Sequence, residues 1–177
     1  MTRVNAVGDV VLTDPRAMRA LADPSRLALL DRLRRDGPAT AEELSAPERQ
    51  LEELETFGLV ERDGERWAAI AKGFAFEIPD DGEGETAARQ LSNSIMSSSL
   101  DVPKGWLADA EPRLEPDWVR AAGLFNARVL ITSEELRDLQ QRLEQLLEPY
   151  ITRESDALPA EARRTRVLAY FLPEAPG

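Results

Sequence analysis

Thr40-Ala41-Glu42-Glu43-Leu44-Ser45-Ala46-Pro47-Glu48-Arg49-Gln50-Leu51-Glu52-Glu53-Leu54-Glu55-Thr56-Phe57-Gly58-Leu59-Val60-Glu61-Arg62-Asp63-Gly64-Glu65-Arg66-Trp67 is the stretch on which the fold turns. Thr40 with Glu43 three residues on makes a capping box, in which hydroxyl and carboxylate each satisfy an amide that a first helical turn leaves without a partner. Only Leu44 follows before Ser45, so this helix is about one turn long. Ser45 with Glu48 repeats the pattern and predicts a further helix from near Ala46, with Leu51, Leu54 and Phe57 on its buried face and a stop at Gly58. The remainder reads as a hairpin. Asp63-Gly64 suits a two-residue loop with positive φ, which sets Arg62 opposite Glu65, Glu61 opposite Arg66 and Val60 opposite Trp67.

Upstream, Asp14-Pro15 and Asp23-Pro24 each place a capping carboxylate before a proline that starts a helix without loss of a needed N–H. The first of these helices turns Met18, Leu21 and Ala22 inward. The second, from Ser25 to about Arg35, carries Leu27, Leu30 and Leu33 on one face and ends at Gly37-Pro38. Arg32, Arg34 and Arg35 fall in its last turn, where positive charge complements the helix dipole. Two helices, two short helices joined by a sharp turn, and then a hairpin follow the serial order of a winged helix-turn-helix.

Downstream, Pro79-Asp80-Asp81-Gly82-Glu83-Gly84-Glu85 reads as a solvated linker, which puts a winged domain at 1–78, an acidic linker at 79–85 and a second domain at 86–177. Thr86 to Leu100 offers Ala88, Leu91 and Ile95 to one helical face. An irregular stretch with Pro103, Pro112 and Pro116 follows, whose Trp106 and Trp118 are expected to pack in a core. Phe125, Ala127, Val129 and Ile131 alternate with polar neighbours as a half-buried strand does, and Thr165 to Leu172 predicts a second strand. Between them Thr132 and Glu135 open a helix on which Leu136, Leu139, Leu143, Leu146 and Tyr150 recur at steps of three and four, a seam suited to dimerisation. The expected class is α+β, mainly helical: an N-terminal winged helix-turn-helix plus a C-terminal dimerisation or ligand domain built from a leucine-seam helix and two strands.

Composition removes whole classes of chemistry. The 177 residues include no cysteine and no histidine, which excludes disulfides, thiolate and imidazole metal sites, cysteine nucleophiles and histidine-dependent triads. Paired carboxylates such as Asp80-Asp81 and Glu134-Glu135 read as linker and helix-start charges rather than acid-base catalysts. The chain is therefore expected not to be an enzyme and to carry no cofactor and no metal. Met1 to Val11 holds no apolar run of signal-peptide length and no later segment approaches a membrane span, so the expected location is the cytoplasm, with no membrane partner. The formal net charge of minus 11 works against approach to a polyanion.

Asp23 to Leu30, Thr40 to Leu44 and Leu51 to Glu61 together resemble the ArsR-like family of bacterial transcriptional repressors, and Leu130 to Leu136 with the leucine helix is similar to a C-terminal domain fused to such modules. The resemblance implies a homodimer that binds double-stranded DNA, with the fourth helix in the major groove and the wing over phosphates. Carried over by position, it makes Arg49 and Gln50 base readers and Arg62, Arg66 and Thr40 phosphate contacts. The family's metal-sensing ligands have no counterparts here. Two departures stand out. Only Ser45 to Gln50 separates Leu44 from Leu51, so about two turns of the usual reading head are missing. Between Glu42 and Glu55 six glutamates face Arg49 alone, a local charge of minus 5. Those departures support an alternative: a degenerate winged helix whose acidic helix binds a protein partner. A small-molecule effector in the second domain is the remaining partner class.

Overall fold

Both Asp-Pro pairs start helices, and the carboxylates do the capping. Asp14 accepts from the Arg16 amide at 2.8 Å ahead of α1 (Pro15–Leu21), and Asp23 accepts from the Ser25 amide at 2.8 Å ahead of α2 (Pro24–Asp36). In this computed structural model, which describes residues 3–5, 8–79, 81–153 and 158–175, the chain is a mixed α+β protein. It divides into two compact units, Met1–Phe125 and Asn126–Gly177. Among the described residues no helix is long and apolar enough to cross a membrane.

A short strand, β3 (Ala39–Thr40), leads into α3 (Ala41–Leu44), whose capping box closes with Thr40 N to Glu43 Oε2 at 2.8 Å and Glu43 N to Thr40 Oγ1 at 3.1 Å. The second box does not form. Ser45 sits in the left-handed region with φ +54 as the C-terminal cap of α3, and α4 (Glu48–Thr56) begins after Pro47 with no side-chain cap. Pro47 is the cause, because the residue before a proline is driven out of the helical region and Ala46 cannot open a helix.

The hairpin pairs β4 (Val60–Asp63) with β5 (Arg66–Ala69), but in a different register from the expected one. Arg62 lies opposite Trp67, Asp63 opposite Arg66 and Val60 opposite Ala69, so the loop is Gly64-Glu65. Of these two only Gly64 has positive φ, at +60, the arrangement of a turn with glycine in first place. The slip is two residues, which preserves every side chain's face: Val60 and Trp67 remain inward and almost fully buried. Gly64→Val is expected to strain this turn by about 1–3 kcal/mol and to speed amide exchange from Val60 to Trp67 only. Unchanged exchange there would refute the assignment. β3 adds to the far side of β5, giving the sheet order β3-β5-β4, all antiparallel.

A second sheet has no counterpart in the sequence reading. β2 (Val10–Leu12) pairs antiparallel with β1 (Arg3–Val4) and parallel with β6 (Phe74–Phe76). Val10, Val11 and Leu12 are all buried, a continuous apolar run of the kind a strand covered on both faces requires. Met18, Leu21, Leu30, Leu51, Leu54 and Leu59 complete one core with it.

The expected linker is largely helix. α5 (Gly82–Ser99) starts on Asp81, which accepts from the Gly84 amide at 2.7 Å, and it buries Ala87, Ala88 and Leu91 in the same core against α1. Asp80 lies outside the described residues. Gly84 packs so closely on Pro79 that a Cβ there would stand 2.5 Å from the ring, so the acidic glycine run is a packed entry to a helix. The first unit therefore continues to Phe125 rather than stopping at residue 78. Its remainder is short pieces: α6 (Val102–Gly105), a π-helical turn over Trp106–Ala110, a 3-10 turn over Glu111–Arg113 and α7 (Pro116–Ala121). Trp106 and Trp118 are only partly covered and belong to no buried cluster, contrary to expectation. Prolines cut this stretch into elements too short to present an opposing layer.

In the second unit Thr132 and Glu135 form their capping box, at 2.7 and 3.2 Å, and α8 (Ser133–Ile151) follows. The two expected strands are absent: residues 125–131 and 165–172 pair with no strand among the described residues. Alternation makes a segment fit to pair, but a strand exists only where a neighbour supplies the other half of the hydrogen-bond ladder.

Candidate nucleic-acid interface

Leu51 and Leu54 anchor α4 in the core, which turns Glu48, Arg49, Glu52, Glu53 and Glu55 to solvent. Arg49 is exposed, and among the described residues its guanidinium makes no hydrogen bond or ion pair. Gln50, one step round the helix, is partly covered. The other sites assigned from sequence are already engaged. Arg62 pairs with Glu48 at 2.8 Å, donates to the Gly64 carbonyl at 2.9 Å and lays its guanidinium over the Trp67 ring at 5.1 Å. Arg66 pairs with Glu43 at 3.4 Å and donates to the Pro38 carbonyl. Thr40 spends its hydroxyl on the Glu43 amide, and its own N–H is taken by the Glu43 carboxylate. The Thr40 hydrogen bonds and Arg66 hold the Glu43 carboxyl below its ordinary pKa, so it stays charged into acid solution.

Two further arginines build this surface: Arg32, read from the sequence only as a helix-end charge, and Arg26, which the sequence did not single out. Arg32 of α2 donates to the carbonyls of Glu43 at 2.7 Å and Leu44 at 3.1 Å. The amides of Ser45 and Ala46 take the Ala41 and Glu42 carbonyls at the end of this one-turn helix, which leaves those of Glu43 and Leu44 for a neighbour, and that demand was the available signal. Arg26 reaches from α2 to Glu53 at 2.9 Å and to the Ala20 carbonyl, tying α4 to the α1–α2 turn. Arg34 is half-buried with its guanidinium over Phe74 at 5.1 Å and donates to the Ala71 carbonyl at 3.2 Å, and desolvation lowers its pKa. Beside it burial raises the Asp9 carboxyl above its ordinary value, against the pull of Arg34 and Asn5. These residues brace the second sheet.

An open depression lined by Arg19, Asp23, Arg26, Asn93 and Ser94 lies beside α5. Its arginines are committed to Glu83 and Glu53. In the second unit the five seam residues of α8 differ in how far they are covered. Leu136 and Leu143 are half-covered, whereas Leu139, Leu146 and Tyr150 are exposed.

Compared with protein-family models, curated proteins and solved structures, the chain has no match in any of the three.

Proposed function

We propose that α1 to β5 is a winged helix-turn-helix of the ArsR-like kind and that the chain acts as a homodimeric DNA-binding transcriptional regulator. The observation that carries this reading is the β3-β5-β4 sheet with α3 and α4 inserted between β3 and β4, which sets an exposed helix face beside a protruding hairpin. Arg49 is the base reader, and Arg62 and Arg66 are the phosphate contacts. Their present ion pairs are no obstacle: an exposed pair is worth about 0.2–1 kcal/mol. A charge-assisted hydrogen bond to phosphate is worth roughly 1.5–3 kcal/mol. Thr40, fully used by its capping box, drops out of the contact set.

A second reading is favoured by the same pairs. Arg62 on Glu48, Arg66 on Glu43 and Arg26 on Glu53 leave Arg49, among the described residues, as the cation of this surface without a carboxylate partner, and the surrounding excess of carboxylates suits a basic protein segment. Two variants separate the roles within the first reading. Arg49→Ala is expected to relax preference at one base pair at a cost of roughly 1–3 kcal/mol. Arg62→Ala weakens all sequences alike and flattens the salt dependence by about one phosphate contact. Wild type that fails to bind duplex DNA at low salt, yet captures a basic partner lost in Glu48→Gln/Glu52→Gln, establishes the protein-binding reading instead.

A further inference from the structure

The depression beside α5 has a positively charged lining in a chain whose formal net charge is minus 11. Arg19 of α1 and Arg26 of α2 stand in it against one acidic residue, Asp23, and α5 contributes Gln90, Asn93 and Ser94. Its volume is about 430 Å³. Small-molecule sites span roughly 300–1,000 Å³. Among the described residues the side-chain amides of Gln90 and Asn93 make no hydrogen bond. Ser94 donates its hydroxyl to the Ala22 carbonyl at 2.6 Å and keeps its oxygen as an acceptor.

Both arginines are held by carboxylates that can leave. Arg19 pairs with Glu83 and Arg26 with Glu53, and the side chains of the two glutamates are 69% and 45% exposed. Exposed pairs of this kind hold weakly, so an anion arriving from solvent exchanges with them at little cost. Asp23 is occupied as the cap of α2, where its carboxylate accepts from the Ser25 amide at 2.8 Å and the Arg26 amide at 3.3 Å. The Arg26 Nε donates to the Ala20 carbonyl, which anchors the guanidinium. Its terminal nitrogens remain for a ligand, Nη1 on Glu53 at 2.9 Å and Nη2 at 4.0 Å from Asp23. A planar fork of this kind suits a carboxylate.

We propose that this depression binds a small organic anion through its carboxylate, and that the anion displaces Glu53 from Arg26. The displaced side chain connects the site to α4. Glu53 follows Arg49 by four residues on that helix, the spacing at which side chains meet on one face. With Glu53 held by Arg26, Arg49 is exposed and its guanidinium has no carboxylate partner among the described residues. A released Glu53 pairs with Arg49 instead. The consequence for DNA rests on the proposed regulator: the anion occupies the base reader with a glutamate and lowers affinity for the duplex. Because an exposed pair is weak, the change is at most about fivefold. This effector site lies in the first unit, whereas the sequence reading placed an effector in the second domain.

The probe is malate, whose second carboxylate and hydroxyl suit Arg19 and the α5 amides. It is titrated into the full chain without DNA and followed by backbone amide resonances, with sodium chloride at equal ionic strength as the control. Saturable shifts at Arg19, Arg26 and Asn93 are expected at millimolar malate and not with chloride. Arg19→Gln is expected to weaken malate severalfold, and Glu53→Gln, which removes the competitor, to tighten it by up to about fivefold. Shifts that do not saturate, or that chloride reproduces, overturn the proposal. So does a Glu53→Gln variant that binds malate no better than wild type, since Glu53 would then not compete for Arg26. DNA affinity is read separately by anisotropy, where malate is expected to weaken wild type and to leave Glu53→Gln unaffected. An equal response of the two overturns the link to α4, whereas malate binding without any DNA binding upholds the anion site and removes the regulator reading.

Discussion

Trp67→Ala lowers the unfolding free energy of the first unit by about 3–5 kcal/mol, the range for removing a fully buried tryptophan from a packed core. Trp67 is 1% exposed and faces two strands: its cross-strand partners are Ala39 on β3 and Arg62 on β4. The indole also carries the Arg62 guanidinium, so the truncation frees that side chain as well as opening a cavity. Trp67→Phe keeps most of the apolar contact and costs less. Urea unfolding followed by circular dichroism at the helix band checks both. A loss below about 1 kcal/mol for the alanine variant would mean that the sheet is not seated on the core.

Leu91→Ala lowers the same transition by about 2–5 kcal/mol, because α5 is an integral wall of the first core and not the start of a separate domain. Leu91 is fully buried with Ala87 and Ala88 in the cluster that holds Leu21, Leu54 and Trp67. The diagnostic is the site of the effect. Hydrogen exchange of the amides of Leu54 and Trp67 is expected to accelerate in the Leu91 variant as much as exchange within α5. Acceleration confined to residues 82–99 would restore a boundary near residue 78.

That boundary shows where sequence reading stops. Local signals were legible: Asp14, Asp23, Thr40 and Thr132 announce their helices because capping is chemistry between a residue and its immediate neighbours. The competing signal at Ser45 failed because Pro47 acts on the same few residues with a larger steric cost. Long-range pairing was not legible. The parallel match of Val10–Leu12 with Phe74–Phe76 spans more than sixty residues and leaves no local trace beyond apolar character. The hairpin shows the middle case: its faces followed from alternation, while its register depended on which two of Asp63, Gly64 and Glu65 form the loop.

At the candidate interface the residue types were legible and their engagement was not. Arg49, Arg62 and Arg66 are surface cations in any reading of the winged pattern. That Glu48 and Glu43 would hold two of them follows from the way α3 and α4 fold back on the hairpin. The same folding-back brings the carboxylates to the place where a phosphate would come. In the proposed regulator, binding to DNA is a contest between one helix face of glutamates and the arginines beside it.

The measurement that tests this most directly is fluorescence-anisotropy titration of genomic duplex DNA with wild type and with Glu48→Gln/Glu52→Gln, each at two salt concentrations. The account predicts that wild type binds at the lower salt, that affinity falls as salt rises through release of counterions from contacted phosphates, and that the double variant binds nearly all sequences more tightly. Wild type and variant both failing to bind at the lower salt would contradict it.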